Sequence, residues 1–501
     1  MPAKARLSAA VMATRVRDAE LEVLLVERSA NLRFFGGYWA LPGGALDTAD
    51  RDSESGTETE PSHREFARCA LRELFEETGL QGAGLGELDD SLRLGLLEDD
   101  PKAAREFRAI VDRQPRSLEG IQSIGTRTTP AMAPVRFRTR FMHLGLAPED
   151  EPHVIPGELS AAQWVRPGEV MREWRAGIRL VVPPVLGILE TLLDLGLEAL
   201  LKGGADVCSL DSEDAAMAVR STPGVAQIPL LTPTLPPATT TNCYVVGTSE
   251  LYVIDPATYD LVERERLFAY LDKRVAAGAN LAGVLVTHHH HDHVGSVAAT
   301  AERYGLTVLA HPLTLERLPT TTAKTRALSE DDQLPLGAAP DGTPDWYLQA
   351  FHTPGHDRGH LVFRESRYHA LIAGDLASTV STILIEPPEG HLATYLETLQ
   401  RMQGIEIGHL YPAHGPAARD GHGLLARYVR HRAMRRRLLE LALEEHGPMT
   451  VKDLVVHVYA DIPEATHQLA SRSLIAGLEQ LEEEGLARQK DDHWAMASRS
   501  D

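Results

Sequence analysis

The order of apolar and polar positions predicts a chain that alternates short buried strands with amphipathic helices. Residues 281–286, Leu-Ala-Gly-Val-Leu-Val, form an apolar and partly β-branched run that is typical of a buried strand. Residues 371–375, Leu-Ile-Ala-Gly-Asp, predict a shorter strand that ends in an aspartate. Residues 241–247 and 251–257 predict a pair of strands earlier in the chain. Several of these predicted strands end in polar groups.

Breaks in this pattern predict three domains. Residues 203–224 interrupt a helical pattern and precede a new run of strands, while residues 424–446 form a long helix rich in Arg and Leu. Two further helical segments and a closing strand pair near Trp494 suggest a winged helix. We therefore predict an α+β multidomain protein, with domains at residues 1–204, 205–425 and 426–501.

Composition limits the classes of protein to which the chain can belong. A chain of 501 residues with 43% hydrophobic content is ordinary for a globular protein of about three domains. Cys69, Cys208 and Cys243 show no paired spacing and do not indicate a disulfide framework. The N-terminal segment reads as a strand, and residues 180–201, with two prolines and two acidic residues, favour an amphipathic helix over a membrane span. We expect a cytoplasmic protein that does not engage a membrane.

The charge of the chain bears on nucleic-acid binding. A formal net charge of −21 works against general affinity for phosphate backbones. An arginine run in the third predicted domain could contact RNA, although such a run is more often the solvated side of an amphipathic helix. Its members are Arg427, Arg430, Arg432, Arg435, Arg436 and Arg437.

Residues 287–295, Thr-His-His-His-His-Asp-His-Val-Gly, carry the first candidate chemistry. The run directly follows a predicted buried strand, so it is not a terminal purification tag. In an extended segment alternate side chains share a face, so His288 and His290 can converge on one cation. Asp292 and His293, where the chain turns, can face a second cation. The intervening histidines then remain bystanders.

Zinc needs more ligands, and three later segments supply them. His356 ends the segment His-Thr-Pro-Gly-His, Asp375 ends the strand at 371–375, and His414 lies in Tyr-Pro-Ala-His-Gly-Pro. In this order the elements resemble the metallo-β-lactamase fold, an αβ/βα sandwich. The resemblance implies two Zn²⁺, with Asp375 bridging them. It places His288, His290 and His356 at one ion and Asp292, His293 and His414 at the other.

Residues 72–80, Arg-Glu-Leu-Phe-Glu-Glu-Thr-Gly-Leu, carry the second candidate chemistry. On a helix that opens near Ser62, Glu73, Glu76 and Glu77 share one face at spacings i, i+3 and i+4. Such carboxylates repel one another unless a cation joins them, although charged helix faces are often only solvated.

The upstream segment 39–47, Trp-Ala-Leu-Pro-Gly-Gly-Ala-Leu-Asp, makes the combination resemble a Nudix box, within an α/β/α sandwich. Two departures exist. The acidic segment 47–60, which we interpret as a mobile loop, lengthens the box. Arg64 stands where the upstream glutamate is expected and Glu65 follows it, so Glu65 is left out of the metal site.

The Nudix resemblance implies Mg²⁺ or Mn²⁺ bound by Glu73, Glu76 and Glu77, with Glu76 and Glu77 catalytic. It implies structural support of this site by Gly44, Arg72 and Gly79. Over most of residues 5–200 the chain resembles the peroxisomal coenzyme A diphosphatase-like subfamily.

Together these resemblances predict a bifunctional, metal-dependent hydrolase. The Nudix part would cleave a diphosphate linkage in a coenzyme A or nucleotide derivative. The zinc part resembles lactamase-beta-like and glyoxalase II-like hydrolases and would cleave a thioester or ester by metal-bound hydroxide, which Asp292 orients. The partners are then small-molecule substrates, and both sites could act on one metabolite class. The alternative is an endoribonuclease-like zinc site whose winged helix binds RNA. The sequence leaves the substrates and the oligomeric state open.

Overall fold

The computed structural model of the chain describes residues 4–497, except residues 33, 53–59, 83, 87, 204–217 and 319–321. The chain forms two compact units, Met1–Pro223 and Gly224–Asp501. Cys208 lies outside the described residues, whereas Cys69 and Cys243 are buried free thiols. Within the described part, no helix has the length and apolar character that crossing a membrane requires.

The first unit contains a mixed sheet and six described helices. Its strands are β1 (Arg6–Arg17), β2 (Glu20–Arg28), β3 (Trp39–Ala40), β4 (Gly43–Ala45), β5 (Gln122–Thr128), β6 (Phe137–Gly145), β7 (Leu159–Val165) and β8 (Val219–Thr222). Its helices are α1 (His63–Thr78), α2 (Asp90–Leu97), α3 (Pro101–Arg113), α4 (Pro167–Arg175), α5 (Pro183–Leu195) and α6 (Leu197–Gly203), with short 3₁₀ helices at Thr48–Asp50 and Pro115–Leu118. The sheet order is β3-β2-β1-β6-β5, with β4 paired to β1 and β7 paired to β2.

Strand β1 shows why this unit has three layers. Ala9, Val11 and Ala13 pack into the cluster that contains the apolar residues of α1. Ala10 and Met12 point to the other face and pack with the apolar residues of α5. A strand that is covered on both faces is continuously apolar instead of alternating. The predicted α/β/α sandwich is therefore confirmed.

The single helix predicted over residues 180–201 differs from the helices in the structure. It is two helices, α5 and α6, because Gly196 follows Leu195 at a φ of +80° and ends α5. A positive φ of this kind costs glycine little and other residues much more.

The second unit contains three sheets and eight described helices. Its strands are β9 (Val225–Leu231), β10 (Thr240–Gly247), β11 (Glu250–Ile254), β12 (Asn280–Leu285), β13 (Val308–Ala310), β14 (Thr325–Ala327), β15 (Gln333–Gly337), β16 (Trp346–His352), β17 (Leu361–Glu365), β18 (Leu371–Gly374), β19 (Leu410–Pro412), β20 (Met449–Thr450), β21 (Ala487–Lys490) and β22 (His493–Met496). Its helices are α7 (Leu261–Ala276), α8 (His291–Val294), α9 (Val297–Tyr304), α10 (Pro312–Leu315), α11 (Leu392–Met402), α12 (Gly421–His446), α13 (Val451–Val458) and α14 (His467–Glu483), with a 3₁₀ helix at Glu464–Thr466.

Two of these sheets pack face to face. One runs β14-β13-β12-β11-β10-β9 and the other β15-β16-β17-β18-β19. Tyr244 and Leu285 of the first sheet share a buried cluster with Trp346 and Phe363 of the second. The outer face of the second sheet packs on α11 and α12. This arrangement is the predicted αβ/βα sandwich.

The C-terminal segment has the predicted order of a winged helix. Leu439 of α12, Leu454 of α13, Leu474 of α14 and Trp494 of β22 form one small core. The third sheet has the order β20-β22-β21. Helix α12 begins at Gly421, so the predicted domain boundary after residue 425 falls inside a continuous helix.

Candidate functional site

The predicted zinc ligands lie just beyond the ends of four strands of the packed sheets. His288 and His290 follow β12, His356 follows β16, Asp375 follows β18 and His414 follows β19. The turn after β12 leads directly into α8, which carries Asp292 and His293. Strand ends at one edge of a sandwich bring side chains from distant parts of the sequence together.

Three histidines form the first donor set. The Nδ1 atom of His290 lies 2.9 Å from Nε2 of His288 and 3.0 Å from Nε2 of His356. All three donor atoms lie within 4.8 Å of one another. Neutral imidazole nitrogens that converge in this way can share one cation.

Asp292, His293 and His414 form the second donor set. Asp375 lies between the two sets. Its Oδ1 atom is 3.6 Å from Nε2 of His293 and 3.3 Å from Nε2 of His414, whereas its Oδ2 atom is 3.4 Å from Nε2 of His356. In the described structure, Nε2 of His293 and Oδ1 of Asp375 are buried without a hydrogen-bond partner. Buried polar atoms left unpaired are costly, so these atoms fit a site that holds cations.

Outward-facing ring nitrogens fix the orientation of three of the predicted ligands. Nδ1 of His293 donates to Asp255 at 2.8 Å, Nδ1 of His356 donates to the Leu384 carbonyl at 2.8 Å, and Nδ1 of His414 donates to the Thr240 carbonyl at 3.0 Å. Each of these bonds places the proton on Nδ1 and leaves Nε2 free to ligate.

The surroundings set the protonation of these rings. Burial, with a further contribution from neighbouring histidines, lowers the pKa of His288 well below its usual value and lowers the pKa of His290 to about 3. Burial also acts to lower the pKa of His293 and His414, but the carboxylates beside them raise both pKa values overall. A cation would compete with the proton at these two nitrogens, so its binding should release protons.

The remaining histidines of the run have other contacts. His289 lies 3.0 Å from Asp357, and the ring of His291 stacks on Tyr259 with 4.2 Å between centroids. The sequence reasoning missed Asp357, which is buried and forms a further donor set with His289 and His290. Its position directly after His356 is the only sequence signal for it.

One cavity of about 630 Å³ is lined by residues of both donor sets, among them His290, Asp292 and His414. Its volume is in the range of small-molecule sites. The lining also includes Arg432 of α12 and Leu469 of α14. The C-terminal segment therefore forms part of the cavity wall, which the sequence did not indicate.

Helix α1 of the first unit begins and ends where the sequence predicted. Ser62 and Glu65 form a reciprocal N-terminal cap, so Glu65 serves the helix end. Gly79 ends the helix at a φ of +73°, and its N–H donates to the Phe75 carbonyl. Left-handed backbone at this position favours glycine.

The glycine turn packs against the glutamates of α1. The N–H of Gly43 donates to Oε2 of Glu77 at 3.0 Å. A Cβ added at Gly44 would lie 2.5 Å from the Glu73 carboxylate, so a larger residue there would displace that carboxylate. The glycine turn and these glutamates are therefore in close contact.

Arg72 joins the carboxylates of this site. Its guanidinium lies 2.9 Å from Glu73 and 3.1 Å from Glu76. The sequence reasoning missed its third partner, Asp50, which is 1% exposed and lies 2.9 Å from Arg72. The interpretation of segment 47–60 as a mobile loop is therefore wrong for its first residues, where Asp47 and Asp50 cap a 3₁₀ turn. Residues 53–59 lie outside the described part.

Crowding raises the proton affinity of the glutamates. Burial and neighbouring carboxylates raise the pKa of Glu73 to about 7 and of Glu76 to about 8, and the pKa of Glu77 is also well above its usual value. Arg72 opposes these shifts at Glu73 and Glu76 without cancelling them. If Glu73, Glu76 and Glu77 are all ionised, they carry more negative charge than Arg72 balances, and a divalent cation would offset the excess.

Three segments of the chain match known families. Residues 236–414 match the metallo-beta-lactamase superfamily, residues 450–494 match the beta-lactamase associated winged helix domain, and residues 6–183 match the NUDIX domain. The NUDIX and metallo-beta-lactamase families are metal-dependent.

Individual relatives cover parts of the chain. A Beta-lactamase-like protein 2 homolog of Caenorhabditis elegans is 26% identical over 49% of this chain and 80% of its own length. An atrochrysone carboxyl ACP thioesterase of Aspergillus novofumigatus is 29% identical over 44% of this chain and 66% of its own. A crystal structure of a NUDIX hydrolase from Alicyclobacillus acidocaldarius is 25% identical, with a TM-score of 0.34, over 40% of this chain and 97% of its own.

The three family matches confirm the predicted combination of families, while the coenzyme A diphosphatase-like subfamily stays a prediction. The chain is a hydrolase that combines a NUDIX domain, a domain of the metallo-beta-lactamase superfamily and a beta-lactamase-associated winged helix.

Proposed function

We propose that the second unit hydrolyses a thioester or ester of a small molecule with the help of two Zn²⁺. The observation that carries this proposal is the pair of three-donor sets joined through the two oxygens of Asp375. Histidine nitrogens mixed with aspartate oxygens suit zinc among the common divalent ions.

Different side chains would have different roles in such a reaction. Cations held by the donor sets would polarise the scissile carbonyl and lower the pKa of water. The Asp292 carboxylate, whose Oδ2 lies 3.5 Å from Nε2 of His414, would orient the attacking water and accept a hydrogen bond from it. Asp255 and the carbonyls of Leu384 and Thr240 would hold the histidine rings still during the reaction.

The form of the cavity favours a small molecule as the substrate. Its walls include apolar residues of the 233–238 segment and of α14, which suit an acyl chain. The similarity to an ACP thioesterase adds weight to a thioester.

The RNA alternative has less support because most of the arginines that would serve it are engaged. The interpretation of the arginine run as a solvated face is wrong for Arg432 and Arg435, which are buried. Arg435 forms an ion pair with Asp461 at 2.6 Å, and Arg436 forms one with Glu484. Neutralised arginines contribute little to phosphate binding.

We also propose that the first unit cleaves a diphosphate linkage with Mg²⁺ or Mn²⁺ held by Glu73, Glu76 and Glu77. The raised pKa values of these carboxylates support a cation site there. Hard divalent cations prefer such oxygen ligands and bridge to phosphate oxygens. A coenzyme A derivative is the substrate class that the resemblance suggests, and such a thioester contains linkages for both sites.

The zinc proposal is tested on protein purified without chelator. Metal analysis should give about two zinc ions per chain. The same protein should hydrolyse acyl thioesters, lose this activity after chelation and regain it with Zn²⁺. Cleavage of short RNA by a preparation that leaves every thioester and ester intact would contradict the proposal.

The diphosphatase proposal is tested separately. With Mg²⁺ or Mn²⁺, coenzyme A and nucleoside diphosphate derivatives should be cleaved at the diphosphate, as product masses would show. Failure to cleave any of them with either ion would contradict the second assignment and leave the first unaffected.

A further inference from the structure

Arg432 is a buried cation in the wall of the cavity that contains the metal-ligating side chains. It lies on α12, is 5% exposed and lines the same cavity as His290 and Asp292. A buried guanidinium needs a counter-charge or a full set of acceptors, because losing its hydration is costly.

The neighbouring charged residues of the wall have such partners. Arg435 is paired with Asp461, Arg472 forms an ion pair with Glu386, and Glu389 is paired with Arg317 at 2.5 Å. The remaining carboxylates of the wall, Asp292 and Asp375, belong to the predicted metal site.

Arg432 itself contacts only neutral groups. It donates from one terminal nitrogen to the Ile383 carbonyl, and its guanidinium lies 5.7 Å from the centre of the Tyr395 ring. Its Nε atom is buried without an acceptor, and among the described residues no carboxylate lies within ion-pair distance of it. Arg432 therefore has no ion-pair partner among the described residues.

We propose that Arg432 binds an anionic group of the substrate, so that the second unit acts on thioesters or esters that carry a carboxylate apart from the scissile bond. A guanidinium without an ion-pair partner binds a carboxylate through charge-assisted hydrogen bonds. The substrate would supply the ion-pair partner that Arg432 lacks among the described residues. This inference rests on the proposed hydrolysis by the second unit.

The test compares two acyl groups of equal chain length. Glutaryl and pentanoyl thioesters of N-acetylcysteamine differ by one carboxylate at the far end. We expect the zinc-loaded full chain to show a kcat/KM at least tenfold higher for the glutaryl thioester. Equal values, or a preference for the pentanoyl thioester, would overturn the proposal whatever any variant does.

Variants then assign the preference to the side chain. Arg432→Gln should reduce the ratio of the two kcat/KM values at least tenfold, and Arg432→Lys should restore part of it. Arg430→Gln is the matched control, because Arg430 is exposed on the same helix and should leave the ratio unchanged. A ratio that survives Arg432→Gln would overturn the assignment.

Coenzyme A thioesters of the same acids locate the anion. If the preference for glutaryl persists on both leaving groups, the carboxylate of the acyl group is the one that is bound. If coenzyme A removes the preference, its phosphates occupy the subsite and the acyl assignment is wrong.

Binding separates this inference from the proposed reaction. Calorimetry should show glutarate binding more tightly than pentanoate, with the difference lost in Arg432→Gln. That result without thioester hydrolysis would leave the subsite standing and reject the reaction. Hydrolysis without any charge preference would support the reaction and reject the subsite.

Discussion

The glutamates of α1 and the histidines that follow β12 both crowd polar groups into a small buried volume, but they meet the electrostatic cost differently. In α1, Arg72 lies among the carboxylates and balances part of their charge. Among the histidines, His288 and His290 are neutral, and unpaired donor atoms face one another.

This difference indicates which type of metal ion each site can bind. A carboxylate cluster with an internal cation suits a loosely bound, hard ion that arrives with a phosphate substrate. Converging imidazoles with fixed outer hydrogen bonds suit a resident zinc ion.

The largest effect is expected from removing a histidine donor. His290→Ala should lower thioesterase kcat/KM by about 10³-fold, or about 4 kcal/mol of transition-state stabilisation, because the first donor set loses one of its three atoms. Zinc content, measured by mass spectrometry, should fall in the same variant.

His291→Ala is the matched control, since His291 lies in none of the donor sets and stacks on Tyr259. If both variants lost the same amount of zinc, the ligand assignment would be wrong.

The corresponding change in α1 should act on the other reaction. Glu76→Gln removes the charge at nearly constant shape and should lower Mg²⁺-dependent diphosphatase activity by about 10²-fold or more. Zinc content should stay at the wild-type level. A parallel loss of zinc would show that the two sites are not independent.

The third prediction concerns the internal cation of the glutamate site. Asp50→Asn leaves buried Arg72 without its most buried partner, and should lower the free energy of unfolding by about 2 kcal/mol, since Glu73 and Glu76 still contact the guanidinium. Denaturant unfolding followed by circular dichroism measures this loss.

Asp90→Asn, at an exposed position in the first turn of α2, should change stability by only a few tenths of a kcal/mol. An Asp50→Asn protein as stable as this control would mean that Asp50 is not needed to balance Arg72.

The smallest effect is a pH dependence of the glutamate site. The folded-state pKa values of Glu73 and Glu76 are about 7 and about 8, above the ordinary value of 4.5. Between pH 4.5 and about pH 8 the folded chain therefore binds more protons than the unfolded chain. Their contribution to stability is present below pH 4.5 and is lost as pH rises to about 8.

Without divalent cations, the unfolding temperature of the first unit should therefore fall by roughly a few degrees between pH 5 and pH 8 relative to Glu76→Gln. Scanning calorimetry of both proteins measures this difference, and Mg²⁺ should reverse the fall in the wild type only. The same slope in both proteins would contradict the raised pKa of Glu76.

The sequence was sufficient for features whose signals are local. The apolar run before His288, the spacing of Glu73, Glu76 and Glu77, and the caps at Ser62 and Gly79 follow from strand and helix periodicity over a few residues. The family resemblances then supplied the order of the later ligands, and the family matches agree with them.

Only the tertiary structure decided which distant groups complete each site. Asp50 lies in an acidic segment with no periodicity, and its pairing with Arg72 depends on how a 3₁₀ turn packs on α1. Arg432 looked like one member of a solvated run, because helical spacing alone does not say which face of α12 a neighbouring segment will cover. Burial of a charge is set by packing between elements far apart in sequence, and that packing made Arg432 an unpaired cation in the wall of the cavity.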